Sequence, residues 1–124
     1  MTRPDGALPI AMFDSGVGGL TVLHECLVSL PAEDFLYLGD SANFPYGTKT
    51  RAELRDLVAR NTTFLLDRGA KLLLVACNSA TAAGADLARE IAAEYGVEVV
   101  TVVGSEAEIA AAMLQRQQAG AVLA

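Results

Sequence analysis

The chain has 124 residues, of which 52% are hydrophobic, and it carries a formal net charge of −6. This length and composition are typical of one folded domain and not of a disordered segment. The acidic balance argues against nucleic acid or an anionic membrane as a partner. No apolar run approaches the roughly 20 residues of a membrane-spanning helix, and the N-terminus lacks a signal-peptide pattern. Two cysteines, Cys26 and Cys77, make no disulfide framework, which favours a reducing, cytoplasmic location.

Short apolar runs alternate with amphipathic segments along the chain. A strand is predicted over 9–13, a helix over 18–30, a strand over 34–38 and a loop over 39–49. The leucines that share one side of the first helix predict its buried face: Leu20, Leu23, Leu27 and Leu30.

The next helix has a clear start and stop. Thr50 and Glu53 form a Thr-x-x-Glu capping box, and Gly69 follows the last residue, Arg68. The residues predicted to face the core are Leu54, Leu57, Val58, Asn61 and Leu65. The strand predicted over 71–76 is almost wholly apolar, as in a parallel sheet that helices cover on both faces.

A helix over 79–95, a strand over 97–103 and a helix from Ser105 to about Gln118 complete the pattern. Four strand–helix repeats predict a single α/β domain over 1–124, with a parallel sheet of about four to five strands and helices on both faces. Residues 121–124 resemble the start of a fifth strand, so we expect a truncated chain.

Polar and reactive residues follow three of the predicted strands: Asp14, Ser15 and Gly16, then Gly39 and Asp40, then Cys77, Asn78 and Ser79. Ligands of an open parallel sheet bind beyond the carboxyl ends of its strands. The sequence therefore predicts a binding site at this edge.

The stretch DSGVGGLT, residues 14–21, predicts a tight turn at a helix start, where backbone amides face a carboxylate or phosphate. The alternative is that the glycines only let the helix pack closely. A dinucleotide-binding turn has a further glycine where Thr21 stands, and no Walker-type ending is present. A nucleotide-binding domain with Asp40 on the ribose is therefore the weaker alternative.

Asp14 and Cys77 are the candidate reactive groups. Asp14 follows an apolar strand, where it could steer a proton or hold an ammonium group, or simply cap the next helix. The positive end of a helix favours a thiolate at Cys77, whereas the alternative is a small buried hydrophobe. Ala83 and Ala80 stand where a Cys-x5-Arg phosphatase loop and a Cys-x-x-Cys redox motif would need arginine and cysteine.

Other candidates are weaker. Cys26 lies within the first helix and is predicted to fill the core. His24 is the only histidine and is predicted to lie on the surface, away from the leucines, which argues against histidine-based triads and metal sites. In the loop GDSANFPYGTKT, Tyr46 offers a hydroxyl and an aromatic wall and Gly47 offers flexibility, either as a lid over the site or as simple loop packing.

Three motifs, FDSGVGGLTVL, YLGDSANFPYGTKT and LLLVACNSATA, occur in an order and spacing that closely resemble the N-terminal half of the glutamate racemases. The resemblance covers about 10–103. It implies one half of a two-domain racemase fold, no cofactor, no metal, and glutamate as the substrate. It also implies D-glutamate supply for peptidoglycan, and hence a part in cell-wall biogenesis and cell shape.

The resemblance implies a two-base mechanism, in which one cysteine removes the α-proton and a second cysteine protonates the opposite face. Cys77 would be one of the two, with Asp14 steering its proton. The implied substrate-binding residues are Asp14, Ser15, Tyr46, Gly47, Asn78 and Ser79.

In that family a second α/β half carries the other cysteine in a Cys-Thr-His motif, and a Glu-Pro-Gly-like turn stands where this chain has 104–108. We therefore expect an incomplete enzyme, or a homodimer that brings two Cys77 thiols to one cleft. The alternatives are a non-catalytic module that binds an acidic amino acid, and an aspartate racemase.

Overall fold

The computed structural model describes residues 8–16, 19–101 and 115. Its elements, in chain order, are β1 (Ile10–Asp14), α1 (Gly19–Ser29), β2 (Phe35–Gly39), α2 (Arg51–Asp67), β3 (Leu72–Val75), α3 (Asn78–Glu94) and β4 (Glu98–Thr101). Two short 3-10 turns, Ser41–Asn43 and Tyr46–Thr48, lie between β2 and α2. Apart from Gln115, the helix predicted over 105–118 lies outside the described residues, as does the strand start at 121–124.

The four strands form one sheet in the order β2-β1-β3-β4, and every pair is parallel. The chain leaves β1 toward β2, then crosses back to place β3 on the other side of β1. The order therefore reverses between β1 and β3, and the carboxyl edge there is the usual ligand position in sheets of this kind. The predicted parallel α/β architecture is confirmed.

Side chains of β1 and β3 alternate between two separate cores. One core lies under α1 and contains Ile10, Met12, Val22, Cys26, Leu30, Leu72, Leu74 and Val100. The other lies under α2 and α3 and includes Ala11, Phe13, Leu73 and Val75. Because both strands are buried on both faces, they need apolar residues at every position. The predicted helices on both faces are confirmed.

The predicted buried face of α1 is correct for Leu30, which is fully buried, and in part for Leu23, which packs against the same core, but it is wrong for the other two leucines. Leu20 and Leu27 are 49% and 46% exposed, and the buried residues of the helix are Gly19, Val22 and Cys26. The reason lies at the helix start, because a Cβ on Gly19 would come within 2.7 Å of the Asp14 Cβ. This close approach sets the rotation of α1, so the helix turns its leucine stripe partly outward.

His24 is exposed, as predicted, but it lies beside the leucines and not away from them. It lines a surface pocket with Leu20, Thr21 and Glu25. None of the helices in 8–16 and 19–101 is both long and apolar enough to cross a membrane.

The start and end of α2 agree with the prediction. The Glu53 backbone N–H donates to the Thr50 hydroxyl at 3.1 Å, and the Thr50 N–H donates to the Glu53 carboxylate at 3.0 Å. Gly69, with a φ of 90°, follows the helix end. Leucine and valine positions of the predicted stripe are buried, whereas Asn61 is only partly buried.

A buried ion pair joins the amino ends of two strands. Lys71, just before β3, binds the Glu33 carboxylate before β2, with side-chain exposures of 7% and 2%. The second oxygen of Glu33, Oε2, has no hydrogen-bond partner among the described residues. Moving the two charges from water into the protein interior costs free energy. The attraction of Lys71 for the Glu33 carboxylate offsets part of this cost.

We expect Lys71→Met to lower the free energy of unfolding by about 3–5 kcal/mol, because it leaves a charged carboxylate buried without its partner. Urea denaturation at neutral pH measures the loss. The matched control is the double variant Lys71→Met, Glu33→Leu, which removes both charges and should recover most of the stability. A single variant as stable as the double variant would contradict this account.

Candidate active site

The carboxyl edge of β1 and β3 brings together the predicted reactive groups. Asp14 is the last residue of β1, and Cys77 follows β3 by two residues. The Ala76 N–H donates to the Phe13 carbonyl at 3.0 Å, so pairing of the two strands continues to this edge. Neighbouring strands lie about 5 Å apart. Asp14 and Cys77 therefore emerge side by side where the strand order reverses.

Asp14 is held by backbone groups on two sides. Its side chain is buried, and its Oδ2 accepts a hydrogen bond from the Gly19 N–H at 2.5 Å, at the start of α1. Its carbonyl accepts from the Asp40 N–H at 2.9 Å. The carboxylate thus caps α1, which was one of the two alternatives for this residue. Burial, and then the nearby Asp14 charge, raise the pKa of Tyr37.

The turn after β1 packs tightly against the end of β2. A Cβ on Gly39 would lie 2.4 Å from the Gly16 carbonyl oxygen, which also accepts a hydrogen bond from the Tyr37 hydroxyl at 3.1 Å. Close packing, the alternative explanation for the glycine-rich stretch, therefore accounts for Gly19, and Gly39 outside the stretch is closely packed in the same way. Gly18 lies outside the described residues, and the anion cradle stays a prediction.

Cys77 occupies the N-cap position of α3, with extended backbone angles of −130° and 123°. Its carbonyl accepts the hydrogen bond from the Thr81 N–H at 3.0 Å, and the residue is 6% exposed. Asn78 and Ser79 form the start of the helix, the first exposed and the second partly buried. The thiol therefore lies beside the positive end of α3, a helix that is kinked at Gly84, and next to two polar side chains.

Cys26 has a very different environment from Cys77. It is fully buried in the core under α1, which confirms the prediction that it fills the core. Burial, with a smaller contribution from Glu25, raises its pKa from 9.0 to about 11. Its thiol therefore stays protonated at neutral pH and does not reach the carboxyl edge.

The loop between β2 and α2 is organised around the Asp40 carboxylate. The Tyr46 hydroxyl donates to Asp40 Oδ2 at 2.5 Å, and the Asn43 amide donates to Oδ1 at 2.9 Å. The Asn61 amide donates to the Tyr46 oxygen at 2.9 Å and to Asp40 Oδ2 at 3.2 Å. Phe44–Pro45 is a cis peptide bond. The loop is thus tied to α2 and is no simple connector.

These hydrogen bonds set the charge state of the network. Burial opposes ionisation of Asp40, but hydrogen bonds from Tyr46, Asn43 and Asn61 outweigh it and lower the pKa of that carboxyl. Burial, and then the hydrogen bond to Asp40, raise the pKa of Tyr46. The network is therefore a carboxylate that accepts from a neutral phenol.

Tyr46 is 2% exposed and donates its hydroxyl proton to Asp40, whereas Gly47 is exposed, with open space around it. The Tyr46 hydroxyl, which the sequence predicts to be available to a ligand, thus already donates its proton to a carboxylate of the protein. Contacts of Tyr46 and Gly47 with a substrate stay a prediction.

Sequence reasoning missed Asn61 and gave Asp40 a different role. The sequence places Asn61 in the apolar stripe of α2, and it places Asp40 at the predicted binding edge, with a ribose contact as its role in the nucleotide-binding alternative. A single amide in an otherwise apolar stripe was the available signal for Asn61. Among residues 8–16 and 19–101, no group of three or more His, Cys, Asp and Glu side chains is placed to hold a metal ion.

Comparison with known proteins gives a consistent result, although no protein-family model matches the chain. It is 48% identical over 94 residues to a glutamate racemase of Clostridium botulinum (strain Kyoto), which covers 76% of this chain and 35% of that protein. It is 54% identical over 82 residues to a glutamate racemase of Pseudomonas paraeruginosa, covering 66% and 31%. The chain thus spans about a third of the length of these curated relatives.

Solved structures agree with the sequence comparison. The glutamate racemase of Francisella tularensis in complex with D-glutamate matches with a TM-score of 0.74 and 41% identity, over 77% of this chain and 36% of that one. The Thermus thermophilus enzyme, in complex with β-chloro-D-alanine, matches with a TM-score of 0.72 and 45% identity, over 81% and 38%. Over most of its length, this chain is therefore similar in sequence and in fold to one part of these glutamate racemases.

Proposed function

We propose that this chain supplies one side of a glutamate racemase active site, in which glutamate binds at the carboxyl edge of the sheet and Cys77 exchanges its α-proton. The observation that carries the proposal is the thiol of Cys77 at the N-cap of α3, beside Asp14 at the end of β1. Homologous glutamate racemases have been solved with D-glutamate and with L-glutamate, which supports this substrate.

The chemistry requires a base and an acid on opposite faces of the α-carbon. The Cys77 thiolate takes the α-proton and becomes a thiol. The electron pair of the broken C–H bond remains on the α-carbon and spreads into the α-carboxylate. A second thiol then donates a proton to the other face and becomes a thiolate, so charge and protons balance. No cofactor is required.

Cys26 is not the second thiol, because it is fully buried within the α1 core. The second thiol comes either from another segment of a longer protein or from Cys77 of a second copy in a homodimer. The polar residues around Cys77 have separate roles. Asn78 and Ser79 bind the α-carboxylate at the start of α3, where the helix favours an anion. Asp14 and Ser15 hold the ammonium group.

The biological role follows from this activity. D-glutamate made in the cytoplasm supplies peptidoglycan synthesis, and through it cell-wall biogenesis and cell shape. Two alternatives use the same edge of the sheet: a module that binds an acidic amino acid without exchange, and a racemase specific for aspartate. In the first alternative the α-proton of the bound amino acid does not exchange. In the second, aspartate and not glutamate is the substrate.

We expect the chain to catalyse exchange of the glutamate α-proton in D2O and Cys77→Ala to abolish it, because the base is lost. Proton NMR follows the α-proton of each enantiomer, and circular dichroism follows inversion. The matched control is Cys26→Ala, which removes the other thiol and should retain exchange. Binding without exchange favours the binding module, and faster exchange of aspartate favours the aspartate racemase.

The buried Cys26 thiol also makes the stability of the fold depend on pH. Because the folded-state pKa of Cys26 is raised from 9.0 to about 11, its stabilising contribution is complete below pH 9.0 and is lost as pH rises to about 11. We expect the stability advantage of the wild type over Cys26→Ala to shrink by about 1–3 kcal/mol across this window. Urea denaturation at both ends of the window measures it.

The control for this second test is Cys77→Ala, which should retain the alkaline loss of stability because Cys26 is still present. An unchanged difference between the wild type and Cys26→Ala across the window would show that Cys26 does not resist ionisation in the folded protein.

A further inference from the structure

Three side chains, two from the loop between β2 and α2 and one from α2 itself, form a hydrogen-bonded network. Asp40 follows β2, Tyr46 lies in the 3-10 turn Tyr46–Thr48, and Asn61 lies in α2. The Asn61 Nδ2 is 2.9 Å from the Tyr46 oxygen and 3.2 Å from Asp40 Oδ2. One amide group therefore contacts both members of the Tyr46–Asp40 hydrogen bond.

Asn61 differs from the other two because it belongs to a rigid element. The flanking residues of the same helical face, Leu57, Val58 and Leu65, are all buried in the core under α2 and α3. An apolar residue at position 61 would complete this stripe, so the fold of α2 gives no reason for an amide. The amide instead fixes a loop to a helix whose neighbouring side chains are packed in the core.

Tyr46 connects this network to Cys77. Its ring is buried in the same core cluster as Cys77 and Ala80, and the 3-10 turn Tyr46–Thr48 contacts α3. The Cys77 charge is also among the smaller influences that raise the pKa of Tyr46, after burial and Asp40. The Tyr46 ring and Cys77 therefore belong to one packed cluster, so a shift of the ring would disturb the packing around the thiol.

We propose that Asn61 is a positioning residue for Cys77, because its amide holds the Tyr46 ring, and with it the turn at 46–48, against the start of α3. This inference rests on the proposed function of Cys77 as the base. Without the amide, the phenol and the carboxylate remain bonded to each other but lose their fixed link to α2. The loop can then shift away from the thiol while the fold is retained.

The effect should be larger in the rate than in binding. Displacing a catalytic group by as little as 1 Å costs up to about 100-fold in rate. We expect Asn61→Leu to lower kcat for α-proton exchange at least about 10-fold and to change KM by a smaller factor, since the turn at 46–48 is also predicted to contact the substrate. The matched control is Thr63→Val, an exposed change on the same helix, which should retain the wild-type kcat.

A double-mutant cycle tests whether Asn61 acts through the Tyr46 hydroxyl. Adding Asn61→Leu to Tyr46→Phe should cause less than about a twofold further loss, because the shared interaction is already gone. Full additivity of the two losses would overturn the proposed route, as would equal kcat values for Asn61→Leu and Thr63→Val.

A readout independent of catalysis separates this proposal from the proposed function. In the Cys26→Ala background, Cys77 is the only thiol, and iodoacetamide labelling reports access to it. We expect Asn61→Leu to speed labelling at least about threefold, because Cys77 is buried and a reagent reaches its thiol only when the surrounding structure opens locally, which a loosened loop would make more frequent. Thr63→Val should not. Circular dichroism confirms that each variant is folded.

The two readouts give distinct outcomes. No exchange by the wild type, with faster labelling in Asn61→Leu, would reject the racemase function and support the positioning of Cys77 by Asn61. Equal labelling rates in folded Asn61→Leu and Thr63→Val would overturn the positioning role, whether or not the wild type exchanges protons.

Discussion

The parallel pairing of β1 with β3 is the interaction on which the rest of the structure depends. Backbone hydrogen bonds fix the register from Ile10 opposite Leu72 to Phe13 opposite Val75, and both strands are buried on both faces. Each strand then leads into a helix. Backbone pairing therefore sets the positions of Asp14, at the end of β1, and of Cys77, just before α3. The chemistry of their side chains is not constrained by this pairing.

This constraint gives Asp14 and Cys77 different tasks although they lie at one edge. Asp14 uses a carboxylate oxygen to bind the first N–H of α1, so its charge also fixes that helix. Cys77 uses its carbonyl to begin α3, and its thiol makes no capping hydrogen bond to this helix. A functional group that the fold does not require is the one best suited to chemistry, which favours Cys77 over Asp14 as the reactive residue.

The alternation of strands and helices, the helices on both faces and the capping of α2 could be predicted because each depends on local pattern. Local pattern failed where a distant contact decided the outcome. In α1, two overlapping apolar faces were available, and the close approach of Gly19 to Asp14 selected the one without Leu20 and Leu27. The hydrogen bonds of Asn61 to a loop 15 and 21 residues away leave no periodic signal in the sequence.

The two cysteines show how environment, and not residue type, decides function. Cys26 lies inside a helix among aliphatic side chains, where burial favours the neutral thiol and its pKa rises to about 11. Cys77 lies at the start of α3, next to the polar residues Asn78 and Ser79. The same side chain thus serves as core filler at one position and as a candidate base at the other. The difference arises from the strand that ends just before Cys77, because only a strand end delivers a thiol to the edge where ligands bind.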